Sequence, residues 1–107
     1  MPEPIDRDRL ATAHAAELER FAAEHPNSRA LFEQAKRSLV SGVPMTWMAK
    51  WVGGHPVYAK SARGARIEDV DGHTYIDYVM SWGPLIHGHA PKGLLKALAQ
   101  AAARGTS

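Results

Sequence analysis

The stretch GARIEDVDGHTYIDYVMSWGPLIHGHAP, residues 64–91, decides how this chain reads. At its centre Asp71-Gly72 separates two runs of strand-like composition, 65–70 and 74–79. Aspartate followed by glycine is favoured where both central residues of a hairpin turn need positive φ, as in a type I′ turn. A two-residue loop there sets Val70 opposite His73, Ile67 opposite Ile76 and Arg66 opposite Asp77. That register predicts an apolar pair and an ion pair across the ladder, both of which stabilise antiparallel strands. A slip of one residue loses both.

Working outward, Gly83-Pro84 ends the second strand, because proline has no amide hydrogen for the ladder. Ser81 and Trp82 stand just before that break. Spacing alone favours Trp82 as core and Ser81 as turn chemistry, with presentation to a ligand as the alternative. Upstream, His55-Pro56 opens a short strand over 57–60, and 61–64 turns into the hairpin. The expected sheet is three-stranded and antiparallel: 57–60, 65–70 and 74–79. Downstream, Pro91 opens a helix reaching Arg104, with Gly105 as its stop. Leu94, Leu95, Leu98, Ala101 and Ala102 share one face, and Lys92, Lys96 and Gln100 the other.

The first 42 residues read as helical. From about Asp6, Leu10, His14, Leu18, Phe21 and Ala22 recur at helical spacing, a narrow stripe on which His14 reads as packed or half-buried. Residues 1–4 read as loose. His25-Pro26 breaks this helix, and Asn27 or Ser28 caps a second one over 29–39. Its inner face is Leu31, Phe32, Ala35 and Leu39, and Ser41-Gly42 stops it. Residues 43–54, VPMTWMAKWVGG, keep no period of 2 or 3.6. They read as an ordered apolar loop packed by Trp47, Trp51, Met45 and Met48. Such a loop plugs a core or lines a pocket, and the plug is favoured here. Lys50 reads as solvated, with contact to an anion as the alternative.

At 107 residues and 45% hydrophobic content, the chain has the material for one small ordered domain. A net charge of +2 with scattered Lys and Arg gives no nucleic-acid stripe. The absence of cysteine excludes a disulfide framework and thiolate chemistry. No apolar run approaches a membrane span, the charged N-terminus does not read as a secretory signal, and a cytoplasmic setting is expected. His87 and His89 on one strand face could hold zinc, but the ligand set is incomplete. Asp69, Asp71 and Asp77 read as structural, one in turn chemistry and one paired with Arg66. Ser81 lacks a nucleophile elbow, and no glycine loop of the phosphate-cradling kind is present. The residues themselves therefore give an α+β segment of N-terminal helices, a three-stranded antiparallel sheet and a C-terminal helix. They give a possible pocket lip, with no catalytic residue and no metal site.

The run DVDGHTYIDY, residues 69–78, followed by SWGP and then GHAP, resembles the N-terminal part of class III aminotransferases, fold-type-I enzymes dependent on pyridoxal 5′-phosphate (PLP). It is most similar to glutamate-1-semialdehyde 2,1-aminomutase and its aminotransferase relatives. LFEQAKRSLVSGVP, VGGHPVYAKSARGARIEDVDG and ALAQAAARGTS extend the resemblance over about 31–107. Two departures stand out. After Gly88-His89 comes Ala90-Pro91, without the family's further histidine, and residues 43–50 lack the arginine that meets the substrate carboxylate in the aminomutase pattern.

The resemblance implies that Ser81, Trp82 and Gly83 lie beside the substrate, with Trp82 as an apolar wall near the cofactor. It implies that the loop after Gly42 covers the active-site entrance, where Thr46 or Lys50 substitutes for the absent arginine. That departure favours an aminotransferase over an aminomutase. It also implies a division into a helical arm (1–42), an apolar active-site loop (43–56) and a sheet-plus-helix segment (57–107) leading into a larger α/β domain. The family's cofactor-binding lysine lies beyond residue 107, so the chain alone is expected to be inactive and to hold no PLP covalently. The expected partners are an amino acid or amine substrate and a second copy in a homo-oligomer. Two further readings stay open: a non-catalytic assembly module docking on a separately encoded remainder, and a small metal module on His87 and His89.

Overall fold

A computed structural model describes residues 5–50 and 52–105, which form two compact units, one running to Tyr58 and one starting at Ala59. Among the described residues the expected α+β content is present: three α-helices and one three-stranded antiparallel sheet.

In the first unit, α1 spans Arg7–Glu24. Asp6 caps it, its carboxylate accepting the amides of Asp8 and Arg9 at 3.1 and 3.0 Å. The apolar stripe is only partly covered: Leu18, Phe21 and Ala22 are half-buried, and Leu10 is exposed. His14, expected to be packed or half-buried, is exposed as well. α2 spans Pro26–Ala35, three residues earlier at its start than the capping pattern predicts. Proline at the first helical position needs no amide partner and has its φ preset. Ser28 is buried and accepts the Tyr58 amide at 3.2 Å instead of capping. After Ala35 the chain tightens into i→i+3 bonds, Arg37 to Gln34 and Ser38 to Ala35. It then reverses through Ser41 and Gly42 at φ 59° and 71°. Phe21 forms the joint of this unit. Its ring stacks on His25 at 4.3 Å and meets His55 at 4.9 Å, and both imidazoles are buried.

Residues 43–50 do not plug a core. Val43 is the one buried large hydrophobic residue among those described, whereas Met45 and Trp47 are about half exposed and Val52 is 88% exposed. A single 3₁₀ turn, Thr46–Ala49, organises the segment. The expected packing by Trp51 lies outside the described residues.

In the second unit, β1 (Ala59–Arg63), β2 (Arg66–Asp69) and β3 (Thr74–Ile76) pair in chain order. The first turn shrinks to Gly64-Ala65, with Gly64 at φ 57° in the position where a two-residue hairpin favours glycine. β1 therefore lies further along the chain than 57–60, and a bulge at Lys60 accommodates the shift.

The second hairpin exists, but its register is one residue off the expected one. Arg66 faces Ile76, Ile67 faces Tyr75 and Glu68 faces Thr74. Neither the Ile67–Ile76 pair nor the Arg66–Asp77 pair forms in this register. The loop holds three residues, Val70, Asp71 and Gly72, with Gly72 at φ 93°, as in hairpins that close on a left-handed glycine. The cause is Asp69, whose Oδ1 accepts the amides of Asp71 and His73 at 2.9 and 2.8 Å. These bonds outweigh the two cross-strand contacts of the expected register.

β3 ends at Ile76, short of Val79, although the Asp77 amide still donates to Ala65 O at 2.8 Å. α3 spans Lys92–Ala102 with Pro91 as its N-cap. Leu94, Leu95 and Leu98 on its apolar face are each about half exposed.

Candidate substrate-facing loop

The second unit places two carboxylates at structural nodes. Asp69 is fully buried, and besides the two amides it accepts the His73 ring Nδ1 at 3.0 Å and the Tyr75 hydroxyl at 2.7 Å, both on Oδ2. Burial pushes its carboxyl up, but the hydrogen bonds from Tyr75, His73 and Asp71 outweigh it and hold the group at about 2. Such a carboxylate is a fixed charge at neutral pH, not a proton carrier. An unfolded aspartate titrates near 3.9, so the folded value is depressed. The stabilisation is complete above roughly pH 5 and is lost as pH falls toward 2, an effect on the order of 2 kcal/mol. The expected result is a drop in the amide protection factors of Asp71 and His73 between about pH 5 and pH 2. Flat protection across that window would contradict it.

Asp77 is the second node. Its Oδ1 accepts the amides of Val79 and Met80, each at 2.9 Å, and its Oδ2 accepts from the His89 ring Nε2 at 2.8 Å. The Met80 amide first, and then the His89 ring, hold its carboxyl below the usual range. The chain between Asp77 and His89 is thus a loop of residues 78–88 whose ends meet through one side-chain contact, the arrangement of a compact Ω-loop.

Within it, Met80, Ser81 and Trp82 all take positive φ, at 46°, 54° and 58°, and Gly83 follows at 124°. A left-handed backbone costs a non-glycine residue roughly 1–2 kcal/mol. Three in succession persist only where the surroundings hold them. The turn is closed by the Trp82 amide on Val79 O at 2.8 Å and the Gly83 amide on Met80 O at 3.2 Å. Its outcome is that Trp82 stands 79% exposed. The core position that spacing favours for Trp82 is overturned, because the left-handed turn points the residue out of the unit.

The structure thus brings Ser81, Trp82 and Gly83 onto one turn. Thr46 opens the Thr46–Ala49 turn of the first unit and Lys50 closes it, both exposed. His87 and His89 do not act as a pair. His89 is half-buried on Asp77, and its backbone bonds Gly64 in both directions at 3.0 and 2.8 Å, while His87 is exposed. Sequence reasoning missed the Asp77–His89 contact. Its one legible trace is an aspartate just before a chain reversal, where its side chain commonly takes amides two and three residues on.

Comparison with known proteins follows the same stretch. Residues 47–107 match the family described as Aminotransferase class-III. The chain is 49% identical over 81 residues to the glutamate-1-semialdehyde 2,1-aminomutase of Thermodesulfovibrio yellowstonii, covering 75% of this chain and 19% of that protein. It is 51% identical over 78 residues to that of Persephonella marina, covering 72% and 18%. Among solved structures it overlays with a TM-score of 0.84 and 35% identity on a glutamate-1-semialdehyde aminomutase from Pseudomonas aeruginosa PAO1 in complex with PMP, covering 96% of this chain and 23% of that one. The chain therefore spans about a fifth of the length of these relatives. A family model over more than half its residues, and a shared fold over nearly all of it, place the chain in the class III aminotransferase family.

Proposed function

We propose that this chain is the N-terminal part of a PLP-dependent enzyme that moves an amino group between an amino acid or amine and a carbonyl acceptor, and that it supplies one wall of the substrate site. The observation that carries the reading is Trp82, an indole held out on a strained left-handed turn inside the stretch that matches the family. Strained backbone persists at functional sites because position there matters more than local stability.

The described residues fit one side of such a site. Trp82 offers a flat apolar face, and Ser81 beside it a hydroxyl. PLP, when bound, supplies the electron sink of the reaction. This chain's share is to exclude water with the Trp82 indole, to orient the substrate with the Ser81 hydroxyl and the close backbone at Gly83, and to meet a substrate carboxylate with Thr46 or Lys50. The cofactor-binding lysine would come from residues outside these 107. A transaminase substrate is favoured over the aminomutase one, because 43–50 hold a lysine and a threonine but no arginine. A homodimeric, cytoplasmic enzyme completes the proposal.

The test joins the chain to the cofactor-bearing remainder of the P. aeruginosa aminomutase. There Trp82→Ala is expected to lower kcat/KM at least about tenfold, the worth of one aromatic contact of 1.4 kcal/mol or more. Trp82→Phe should retain most of it. Unchanged kcat/KM in both variants would sink the reading.

The half-exposed Leu94, Leu95 and Leu98 favour a second form of the proposal, in which the remainder is a separate polypeptide on which this chain docks. A chain that runs unchanged on size exclusion when that remainder is co-expressed argues against it. No helix among the described residues is long and apolar enough to cross a membrane.

A further inference from the structure

We infer that Asp77 and His89 are positioning residues for this site: their contact clasps the neck of the 78–88 loop and fixes where its apolar face stands. The inference rests on the reading of Trp82 as a pocket wall and adds how that wall is held.

The loop carries an unusual load for an exposed segment. Tyr78 is 89% exposed, Trp82 and Ile86 are each 79% exposed, and Val79 is 56% exposed. Side chains of this size hold a substrate only if the backbone beneath them keeps its place, since a displaced wall loses the oriented contact. Beyond the single turn Met80–Trp82 the loop has no sheet or helix of its own to provide this, so its neck must.

The neck is tied twice. Its backbone is stitched to the β1–β2 turn from both sides: the Asp77 amide donates to Ala65 O at 2.8 Å, the His89 amide to Gly64 O at 2.8 Å and the Gly64 amide to His89 O at 3.0 Å. Its side chains then close on each other. One Asp77 oxygen holds the first amides of the loop, at Val79 and Met80, and the other takes the His89 ring. A single carboxylate thereby links the start of the left-handed turn to His89, the residue that follows the loop. The contact is partly shielded, with 11% of the Asp77 and 18% of the His89 side chain exposed. A bond between an ionised acceptor and a ring N–H is stronger there than at the open surface. Gly88 completes the clasp, because its α-carbon lies so close to Gly64 that an added Cβ would sit 2.9 Å from Gly64 O.

The experiment uses the chain joined to the cofactor-bearing remainder and reads two quantities. In His89→Ala, the exchange protection of the Val79, Met80 and Trp82 amides should fall by roughly tenfold or more, the equilibrium worth of one hydrogen bond to a charged group. KM should rise by a similar factor while kcat changes less. His89→Gln, whose amide can donate to Asp77, should restore both. If His89→Ala does not fold, Asp77→Asn gives the reading, since it keeps an oxygen for the two amides and removes the charge from the clasp. Unchanged protection and KM overturn the inference. So does a loss confined to the yield of folded protein with KM intact. The two readings separate cleanly: unchanged kcat/KM in Trp82→Ala and Trp82→Phe sinks the wall, while the amide protection in His89→Ala judges the clasp by itself.

Discussion

Asp69→Ala is expected to abolish the second hairpin, not merely to loosen it. The carboxylate is fully buried and accepts two backbone amides, an imidazole nitrogen and a phenolic hydroxyl. Removing it leaves the Asp71 and His73 amides and the Tyr75 hydroxyl without that acceptor. Each bond to a charged acceptor contributes about 1.5–3 kcal/mol. The bonds form one network and do not add simply, but a loss above about 3 kcal/mol is expected. The cross-strand proximity of Ile67 to Tyr75, read by nuclear Overhauser effects, and the protection of the Asp69 amide should both vanish. Asp69→Asn keeps an oxygen for the two amides and loses the charge, so it should fall between the alanine variant and the native chain. Native protection in Asp69→Ala would show that the turn residues, not the carboxylate, set the register.

Gly88→Ala is expected to be the most damaging of the glycine substitutions in the second unit. The added Cβ would meet Gly64 O at 2.9 Å, Gly64 Cα at 3.0 Å and Gly64 C at 3.1 Å, and the residue sits at φ 77°. The atoms it meets belong to backbone and cannot rotate aside. The left-handed cost of roughly 1–2 kcal/mol adds to a packing cost of about 1–3 kcal/mol. The paired bonds between Gly64 and His89 are the expected casualty. Gly72→Ala is the control: its φ is 93°, but nothing lies within 4 Å of the added atom, so only the conformational cost applies. Urea midpoints of the two variants should differ clearly, with Gly88→Ala the lower. Equal midpoints would mean that the 64–65 turn moves freely away from the loop.

What the sequence disclosed was set by how local each determinant is. α1 and α3 follow from apolar spacing and from Asp6 and Pro91 at their starts. The hairpin follows from Asp71-Gly72, but its register does not. The residue that sets it, Asp69, stands two positions away and acts through a carboxylate whose partners are known only once the chain is folded. The start of α2 was misplaced because Ser28 reads equally well as a cap or as a buried acceptor, and the Tyr58 amide, 30 positions on, decides between them. For the site, the break at Gly83-Pro84 and the family resemblance pointed to Ser81, Trp82 and Gly83. Spacing could not say that Trp82 faces outward, because that depends on three successive left-handed residues with no glycine among them. The clasp joins residues 12 positions apart across an irregular loop, and no periodicity marks such a pair.

The bend at Met80, Ser81 and Trp82 also bears on which variants this segment can tolerate over generations. A backbone of this handedness penalises valine, isoleucine and threonine, whose branching crowds the preceding carbonyl, and is mildest on asparagine, aspartate and glycine. Drift at positions 80 and 81 is therefore channelled toward small polar replacements, and randomising the bend would recover few branched survivors. Diversity aimed at Tyr78, Val79 and Ile86, which take ordinary negative φ, would sample new surface shapes at far lower cost to the scaffold.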